Sequence, residues 1–525
     1  MRRLFAYLSL ALAFIVGGSI HSPAQARPQQ AKPPVITSIN PVTGVVGASV
    51  TVFGTNFGTS QGSVTFNGNP ASVVQWTDYS IVAKVPSGNA SGNVVATVAS
   101  TPSNAVAFKV VTMPTTSIVH TNFGFQCGFD PSDCGGPHGS IIWPQSTAQP
   151  EFLRLHDVST SWSDMSTGPG AYDWTALDTW LDVIAQHQPV NVIEVFSWVP
   201  CWDAPTCEAP GIAPTGTNSL PLDFSKANGS TAFNDFVTQF TQHCSTNGNC
   251  AGNCPPDTTC KSTNLIRYYE LWNEWNTTVR WSGTINELYE MLAPAVPIIR
   301  ANVKNAVILT PSTTSGNNPV FLSWLNLETT NGRLSDWVVW HDYLEGRTPE
   351  AEWSMFSSLY LSNLVSLSAW KSYPWADTET NFNVDTFACP DIFNAEDCTG
   401  QVVRWQLINS SNGAQSLNWY KWMETIEANS QYKTAYNSMA QFLMGGKFAG
   451  PCAATGSGAS APWTCSFTES SGVKALWVWT TSEAGASYTV PTGYVDYLDL
   501  TGGAKTTIDA GQAIPITTIP IILEQ

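Results

Sequence analysis

Charge is what this chain has least of. Only 12% of its 525 residues are Asp, Glu, Lys or Arg, and the formal net charge is −17. No basic stretch of any length occurs, which excludes nucleic acid as a partner, because such binding needs a positive footprint. After the first residues no run is apolar enough, over the roughly 20 residues a bilayer requires, to cross a membrane. A phosphate-cradling glycine loop, a serine nucleophile elbow and a metal-ligand triad are also missing, so no metal and no cofactor are called for. Tryptophan, by contrast, is abundant, with 22 residues. Its ring fills cores, and it also stacks on the flat apolar faces of ligands such as sugar rings.

The N-terminus reads as a signal peptide over residues 1–26. Arg2 and Arg3 precede the apolar run Leu4 to Val16, and Ala24-Gln25-Ala26 is a small-x-small cleavage site. The run is too short to span comfortably. The expectation is a mature chain from about Arg27 that is secreted, periplasmic or held at the cell surface, without a membrane span. Twelve cysteines, an even number, in an exported chain point to disulfides. The close pairs are Cys127/Cys134, Cys201/Cys207, Cys389/Cys398 and Cys452/Cys465. Cys244, Cys250, Cys254 and Cys260 cluster in a Gly-, Asn- and Pro-rich loop with no CxxC spacing. Two disulfides there leave three connectivities open.

Residues 27–33 are a linker, and the composition changes at 34–111. Val50, Val52, Val64, Phe66, Val94, Ala96 and Val98 alternate with small or polar residues, the period of half-buried strands. Asn67-Gly68 is a hairpin turn signal. The runs Ile36-Thr37-Ser38-Ile39-Asn40-Pro41 and Val50-Thr51-Val52-Phe53-Gly54-Thr55-Asn56-Phe57-Gly58, with Gly44 and Gly47, are similar to the immunoglobulin-like IPT/TIG domain. That resemblance implies a spacer or interaction module, with a polysaccharide or the cell surface as its partner.

From 114 to 447 apolar strand-like runs alternate with helical stretches, the mark of a β/α fold. Eight strand candidates stand at 117–125, 152–156, 190–198, 266–272, 306–310, 337–341, 374–378 and 416–419. Helices are expected over 174–187, 231–243, 284–302, 353–371, 401–410 and 432–445. This predicts a (β/α)8 TIM barrel. Strands without helices follow, and residues 448–525 are expected to form a β-sandwich packed on the barrel.

Within the barrel the central stretch is Glu270-Leu271-Trp272-Asn273-Glu274-Trp275-Asn276. It places an amide and a carboxyl at a strand's C-terminal end, where barrel chemistry sits. A carboxyl desolvated by aromatic rings holds its proton to higher pH and can act as a general acid. Trp375-Ala376-Asp377-Thr378-Glu379 supplies a second carboxylate at a later strand end, and His341-Asp342-Tyr343 ends the strand between. Two carboxylates facing each other across a sugar are what glycosidic cleavage needs. Asp377, two residues before Glu379 and so expected on the same face of the strand, is the rival nucleophile, and Glu270 lies deeper in the barrel. Trp143, Trp198, Trp202, Trp275, Trp281, Trp375 and Trp419 lie near strand or loop ends.

An Asn-Glu pair ending the fourth strand and a Glu ending the seventh resemble the retaining glycoside hydrolases of clan A, and residues 117–525 resemble glycoside hydrolase family 39. The resemblance implies Glu274 as acid/base, Glu379 as nucleophile, and Asn273 on the hydroxyl beside the anomeric carbon. It places Arg154, His341 and Tyr343 in the site. Trp198, Trp275 and Trp419, by their positions near strand and loop ends, are candidate sugar contacts. Trp275 stands where the clan commonly has Pro. The expected activity is hydrolysis of O-glycosidic bonds in poly- or oligosaccharides by double displacement. A degenerate barrel would instead give a non-catalytic carbohydrate-binding or adhesion protein, against which the presence of both Glu residues argues.

Overall fold

The structure, a computed structural model, describes residues 32–40, 43–44, 49–86, 92–110, 118–119, 123–127, 134, 141, 143–144, 151–187, 190–204, 231–244, 265–314, 318–357, 370, 373–456, 458, 460–503 and 505–525. The signal-peptide reading and Cys207, Cys250, Cys254 and Cys260 fall outside these residues.

The first folded unit is a sandwich of two sheets. One runs in the order Val35–Asn40, Ser49–Thr55, Ser80–Lys84, Ser72–Trp76, and the other sets Val106–Val110, Gly92–Val98 and Ser63–Phe66 side by side. Val50, Val52, Val64, Phe66, Val94 and Ala96, the alternating residues of the sequence, are all fully buried between them. Asn67 and Gly68 both take positive φ, 49° and 79°, as the two central residues of a tight hairpin turn must.

The second unit is a closed parallel barrel. Its strands are β1 (Phe123–Gln126), β2 (Phe152–Leu155), β3 (Asn191–Val195), β4 (Ile266–Glu270), β5 (Val307–Leu309), β6 (Val338–His341), β7 (Trp375–Thr380) and β8 (Ala414–Trp419). They are ordered β5-β4-β3-β2-β1-β8-β7-β6, and a parallel bridge from Leu309 to Trp337 closes β5 onto β6. All eight expected strands are present, with one difference. Ile118–Val119 leaves the barrel and pairs antiparallel with Gly446–Phe448, so only the second half of 117–125 belongs to β1. An apolar run does not specify which sheet it joins.

The expected helix over 284–302 divides into Ile285–Leu292 and Ala295–Asn302 at Pro294, whose nitrogen has no proton to donate. A helix at Asn318–Asn331, not expected from the sequence, lies between β5 and β6. Gly124 on β1 is required by packing: a Cβ there would lie 2.6 Å from the Asn418 side chain on the neighbouring β8.

The lower interior is apolar, built from Phe152, Ile193, Val195, Leu309, Val339 and Ala376. Strand alternation then turns Glu194 outward, toward the helices. It is fully buried, and among the described residues neither carboxyl oxygen has a hydrogen-bond partner. Burial pushes this carboxyl well above the usual carboxylate range. Such a raised acid leaves stability intact below its unfolded pKa and withdraws it as pH climbs toward the folded pKa, by about 1.4 kcal/mol per pH unit. Glu194→Gln removes that titration. The variant's thermal midpoint, relative to wild type, is expected to improve steadily from about pH 5 to about pH 8. A pH-independent difference would show that Glu194 does not sit there as a neutral acid.

The C-terminal unit is also a sandwich. Gly446–Phe448, Pro462–Thr468, Lys474–Thr480, Ile521–Glu524 and Asp496–Asp499 form one antiparallel sheet, faced by the pair Ala486–Thr489 and Ala513–Ile516. Leu476, Val478, Val490, Ile514, Ile516 and Leu523 are its core. Alternate residues Trp477 and Trp479 join the barrel's core instead. Buried Glu350 ties the two units together, accepting from Trp479 Nε1 at 2.7 Å and from Arg404 Nη1 at 3.0 Å. Disulfides join Cys127–Cys134, Cys389–Cys398 and Cys452–Cys465, with Cα separations of 5.7, 5.9 and 4.4 Å. Cys201 is also disulfide-bonded.

Candidate active site

Along each strand the interior changes from apolar at the base to polar at the C-terminal end. Phe152 gives way to Arg154 on β2, Tyr268 to Glu270 on β4, and Val339 to His341 on β6. On β7 simple alternation from interior Ala376 would turn Glu379 outward. A bulge prevents this: Trp340 pairs with Asp377, but the next residue, His341, pairs with Glu379, leaving Thr378 extra. Glu379 therefore points into the barrel, and Asp377 points out. The sequence expectation that these two share a face is corrected by that one inserted residue. Asp377 is fully buried, its Oδ1 accepts the Asp342 amide at 3.2 Å, and burial pushes its carboxyl well above the usual range.

Arg154 organises the floor of the site. Its Nε and Nη2 donate to the two oxygens of Glu270 at 3.0 and 2.7 Å. Nη1 donates to Glu379 Oε2 at 2.6 Å and to Gln126 Oε1 at 2.6 Å, and Nη2 also reaches Asn273 Oδ1 at 2.8 Å. Gln126 Nε2 adds a second donor to Glu379 Oε2 at 3.2 Å, and the Tyr343 hydroxyl donates to Glu379 Oε1 at 2.6 Å. Asn273, 1% exposed, spends its carbonyl on Arg154, and its Nδ2 has no protein partner among the described residues.

Burial alone would raise the Glu379 carboxyl. The charges of His341 and then Arg154, with the Tyr343 hydroxyl, outweigh it and hold this carboxyl down at about 2. Glu270 is likewise held below the usual range, its burial outweighed by Arg154 and His341. Tyr343 is raised well above its ordinary value, by burial and then by Glu379, so it stays a donor.

Glu274 follows the end of β4 in a left-handed backbone conformation, φ 44°, unfavourable for a residue with a Cβ. Its amide is held by Ser312 Oγ at 3.1 Å. This turn brings its carboxyl over the barrel. Oε1 lies 3.0 Å from His341 Nδ1, and Oε2 lies 3.7 Å from Arg280 Nε. Two influences oppose each other at His341. Burial would lower it, but Glu379 and hydrogen bonds to Glu270 and Glu274 raise it to about 9. Meanwhile Nε2 faces Arg154 Nη2 at 3.0 Å, a contact that favours a bare nitrogen. Nδ1–H is common to both protonation states, and it is the atom that meets Glu274.

The aromatic flanks expected to desolvate Glu274 pack elsewhere. Trp272 is fully buried against Trp281, with Nε1 donating to the Arg280 carbonyl at 2.9 Å. Trp275, 8% exposed, packs against Trp324. Among the described residues, the polar groups beside the Glu274 carboxyl are His341 and Arg280. Trp198, also 8% exposed and at φ 57°, lies under the Arg280 guanidinium with 4.3 Å between its ring centre and Cζ. Trp419 has no accessible surface and packs on Phe382, so it offers no free face to a sugar. Trp143, Trp281 and Trp375 are core residues, and Trp202 Nε1 is taken by Ser166.

Glu274, His341 and Glu379 offer three potential ligand atoms that all lie within 4.8 Å of one another, a spacing that could hold a cation. His341 would have to give up its Nδ1 proton to serve, and the Arg154 guanidinium already supplies positive charge to Glu379. The set is therefore better suited to proton transfer and nucleophilic attack than to metal binding. Gln126 and Arg280 are the site residues that sequence reasoning did not anticipate. Gln126 lies one residue past the expected first strand, and Arg280 lies in a loop with no motif of its own.

The IPT/TIG domain family matches residues 34–110, so the first sandwich is an IPT/TIG domain. No curated protein matches the chain in sequence. Among solved structures, the chain is similar to a glucosidase from Croceicoccus marinus, with 10% identity, TM-score 0.48, and 78% of this chain and 96% of that one covered. It is similar to the catalytic domain of GH30 xylanase C from Talaromyces cellulolyticus, with 11% identity, TM-score 0.45, and 78% and 98% covered. It is also similar to the GH51 arabinofuranosidase from Xanthomonas axonopodis pv. citri, with 10% identity, TM-score 0.38, and 78% and 97% covered.

Proposed function

We propose that this protein is a secreted retaining glycoside hydrolase of the clan A kind, with Glu379 as nucleophile and Glu274 as acid/base. One observation carries the reading: carboxylate oxygens of Glu274 and Glu379 come within 4.8 Å of each other at the barrel mouth. Retaining enzymes set their carboxyl groups roughly 5–5.5 Å apart, and inverting ones roughly 6.5–9.5 Å apart to admit a water between.

The chemistry follows from the partners of each group. Glu379 is ionised, and its oxygens are fixed by Arg154, Gln126 and Tyr343, so it attacks the anomeric carbon as the glycosidic bond breaks. Because His341 Nδ1–H occupies Oε1 of Glu274, the proton given to the departing oxygen sits on Oε2. Asn273 Nδ2 is placed to hold a hydroxyl of the bound sugar. In the second step Glu274, now a carboxylate, takes a proton from water, whose oxygen attacks the anomeric carbon and releases Glu379. The signal-peptide reading and the disulfides favour an exported enzyme, and the IPT/TIG domain, distant from these groups in sequence, is read as a spacer or surface contact. A reducing-sugar assay across a panel of polysaccharides, with chromogenic glycosides for exo action, tests the proposal. Release from at least one substrate is expected; a well-folded protein that releases nothing from any of them would remove it.

A further inference from the structure

Arg280 is not accounted for by the two-carboxylate chemistry. It is delivered to Glu274 by the turn that follows. Thr277 N–H bonds to the Glu274 carbonyl, Arg280 N–H bonds to the Thr277 carbonyl, and Trp272 Nε1 holds the Arg280 carbonyl. The guanidinium then lies on the Trp198 ring, 4.3 Å from its centre, and that ring is presented from a left-handed backbone position. A planar cation stacked on an indole keeps its N–H edge oriented.

That edge has no protein acceptor among the described residues. Among the described residues the nearest carboxylate is Glu274, whose Oε2 is 3.7 Å from Nε, beyond hydrogen-bond reach, and the enclosed Nη1 has no partner. A fifth of the side chain's surface, 20%, remains open. Pairing with Glu274 does not explain the arrangement, since a general acid carries a proton when it meets its substrate. The position is informative as well. Glu274 Oε2, the oxygen that hands over the proton, faces Arg280, while Arg154, Gln126 and Tyr343 surround Glu379 on the other side. Arg280 therefore stands on the leaving-group side of the scissile bond.

We infer that Arg280, seated on Trp198, binds a negatively charged substituent of the leaving group, so that the preferred substrates carry a carboxylate there, as a uronic acid does. The inference rests on the proposed glycosidase reading. A guanidinium edge matches a carboxylate through two parallel hydrogen bonds, a fit that neither a lysine nor an amide reproduces.

The test uses whichever sugar the chromogenic panel shows to be cleaved, prepared as its 4-carboxyphenyl glycoside and as the methyl ester of the same compound. The readout is the ratio of kcat/KM for acid over ester. Arg280→Gln is expected to lower that ratio by on the order of tenfold, the loss of a charged hydrogen-bonded contact. Arg280→Lys should fall between, because it keeps the charge without the fork. Remaining ester cleavage reports a folded enzyme. A ratio that Arg280→Gln leaves unchanged within about twofold overturns the inference and leaves the glycosidase reading standing. Failure of the wild type to cleave any glycoside overturns both.

Discussion

Glu379→Ala is expected to lower turnover on every substrate by on the order of 10⁴-fold or more, as loss of a nucleophile does. The side chain is fixed by three donors and held ionised, and Asp377 cannot replace it, because the bulge at Thr378 turns Asp377 away from the interior. Azide or formate in the vacated space should attack from the same side and give a product of inverted configuration. Glu274→Ala should behave differently. A glycoside with a good leaving group needs no proton, so the first step survives, the intermediate accumulates, and azide should release it with retained configuration. Rescue products of the opposite stereochemistry would exchange the two roles. Full activity in Glu379→Ala would remove it from the mechanism.

Arg154→Met is expected to cost about 3–5 kcal/mol of stability near neutral pH, the usual consequence of stranding buried charge. Arg154 is fully buried and is the guanidinium shared by Glu270 and Glu379. Both carboxyls are held below their ordinary range in the folded protein, Glu379 at about 2. Groups depressed in this way contribute stability above their unfolded pKa and lose it as pH falls through the folded one. The difference between wild type and Arg154→Met should therefore be largest near neutrality and shrink on acidification through the carboxylate range. Thermal midpoints measured across that range check it, and a pH-independent loss would mean that packing, not charge, is what Arg154 supplies. Activity should fall as well, since Glu379 would lose its 2.6 Å partner.

The barrel was legible because eight apolar runs, separated by helical stretches, have few other ways to bury themselves. Glu274 and Glu379 were found as carboxylates at the ends of two of those runs. What the sequence did not disclose was orientation. Nothing in Trp375-Ala376-Asp377-Thr378-Glu379 announces the bulge, because it depends on how β6 pairs with β7. Trp275 and Trp419 sit where a sugar platform is expected and Trp272 where a flank of Glu274 is, but the packing around each ring decides which face is free, and that packing comes from distant residues such as Trp281, Trp324 and Phe382. The helix over Asn318–Asn331 was missed for a similar reason: Trp324, Leu325 and Glu328 are all buried, and a polar Glu inside blurs the periodic stripe. Arg154 was visible as a candidate, yet its bonds reach residues 116 and 225 positions away, and only the closed barrel brings them together.

That Glu379 forms a covalent bond to the sugar while Glu274 moves the proton can be checked by trapping that bond. A glycoside of the cleaved sugar is prepared with fluorine in place of the hydroxyl beside the anomeric carbon, which slows both steps, and with a leaving group good enough to let the first proceed. Proteolysis and mass mapping of the inactivated protein then locate the adduct. One glycosyl group per chain is expected, on Glu379. An adduct on Glu274, Asp377 or any other residue would contradict it, as would a fully processed substrate whose product is inverted and leaves no adduct.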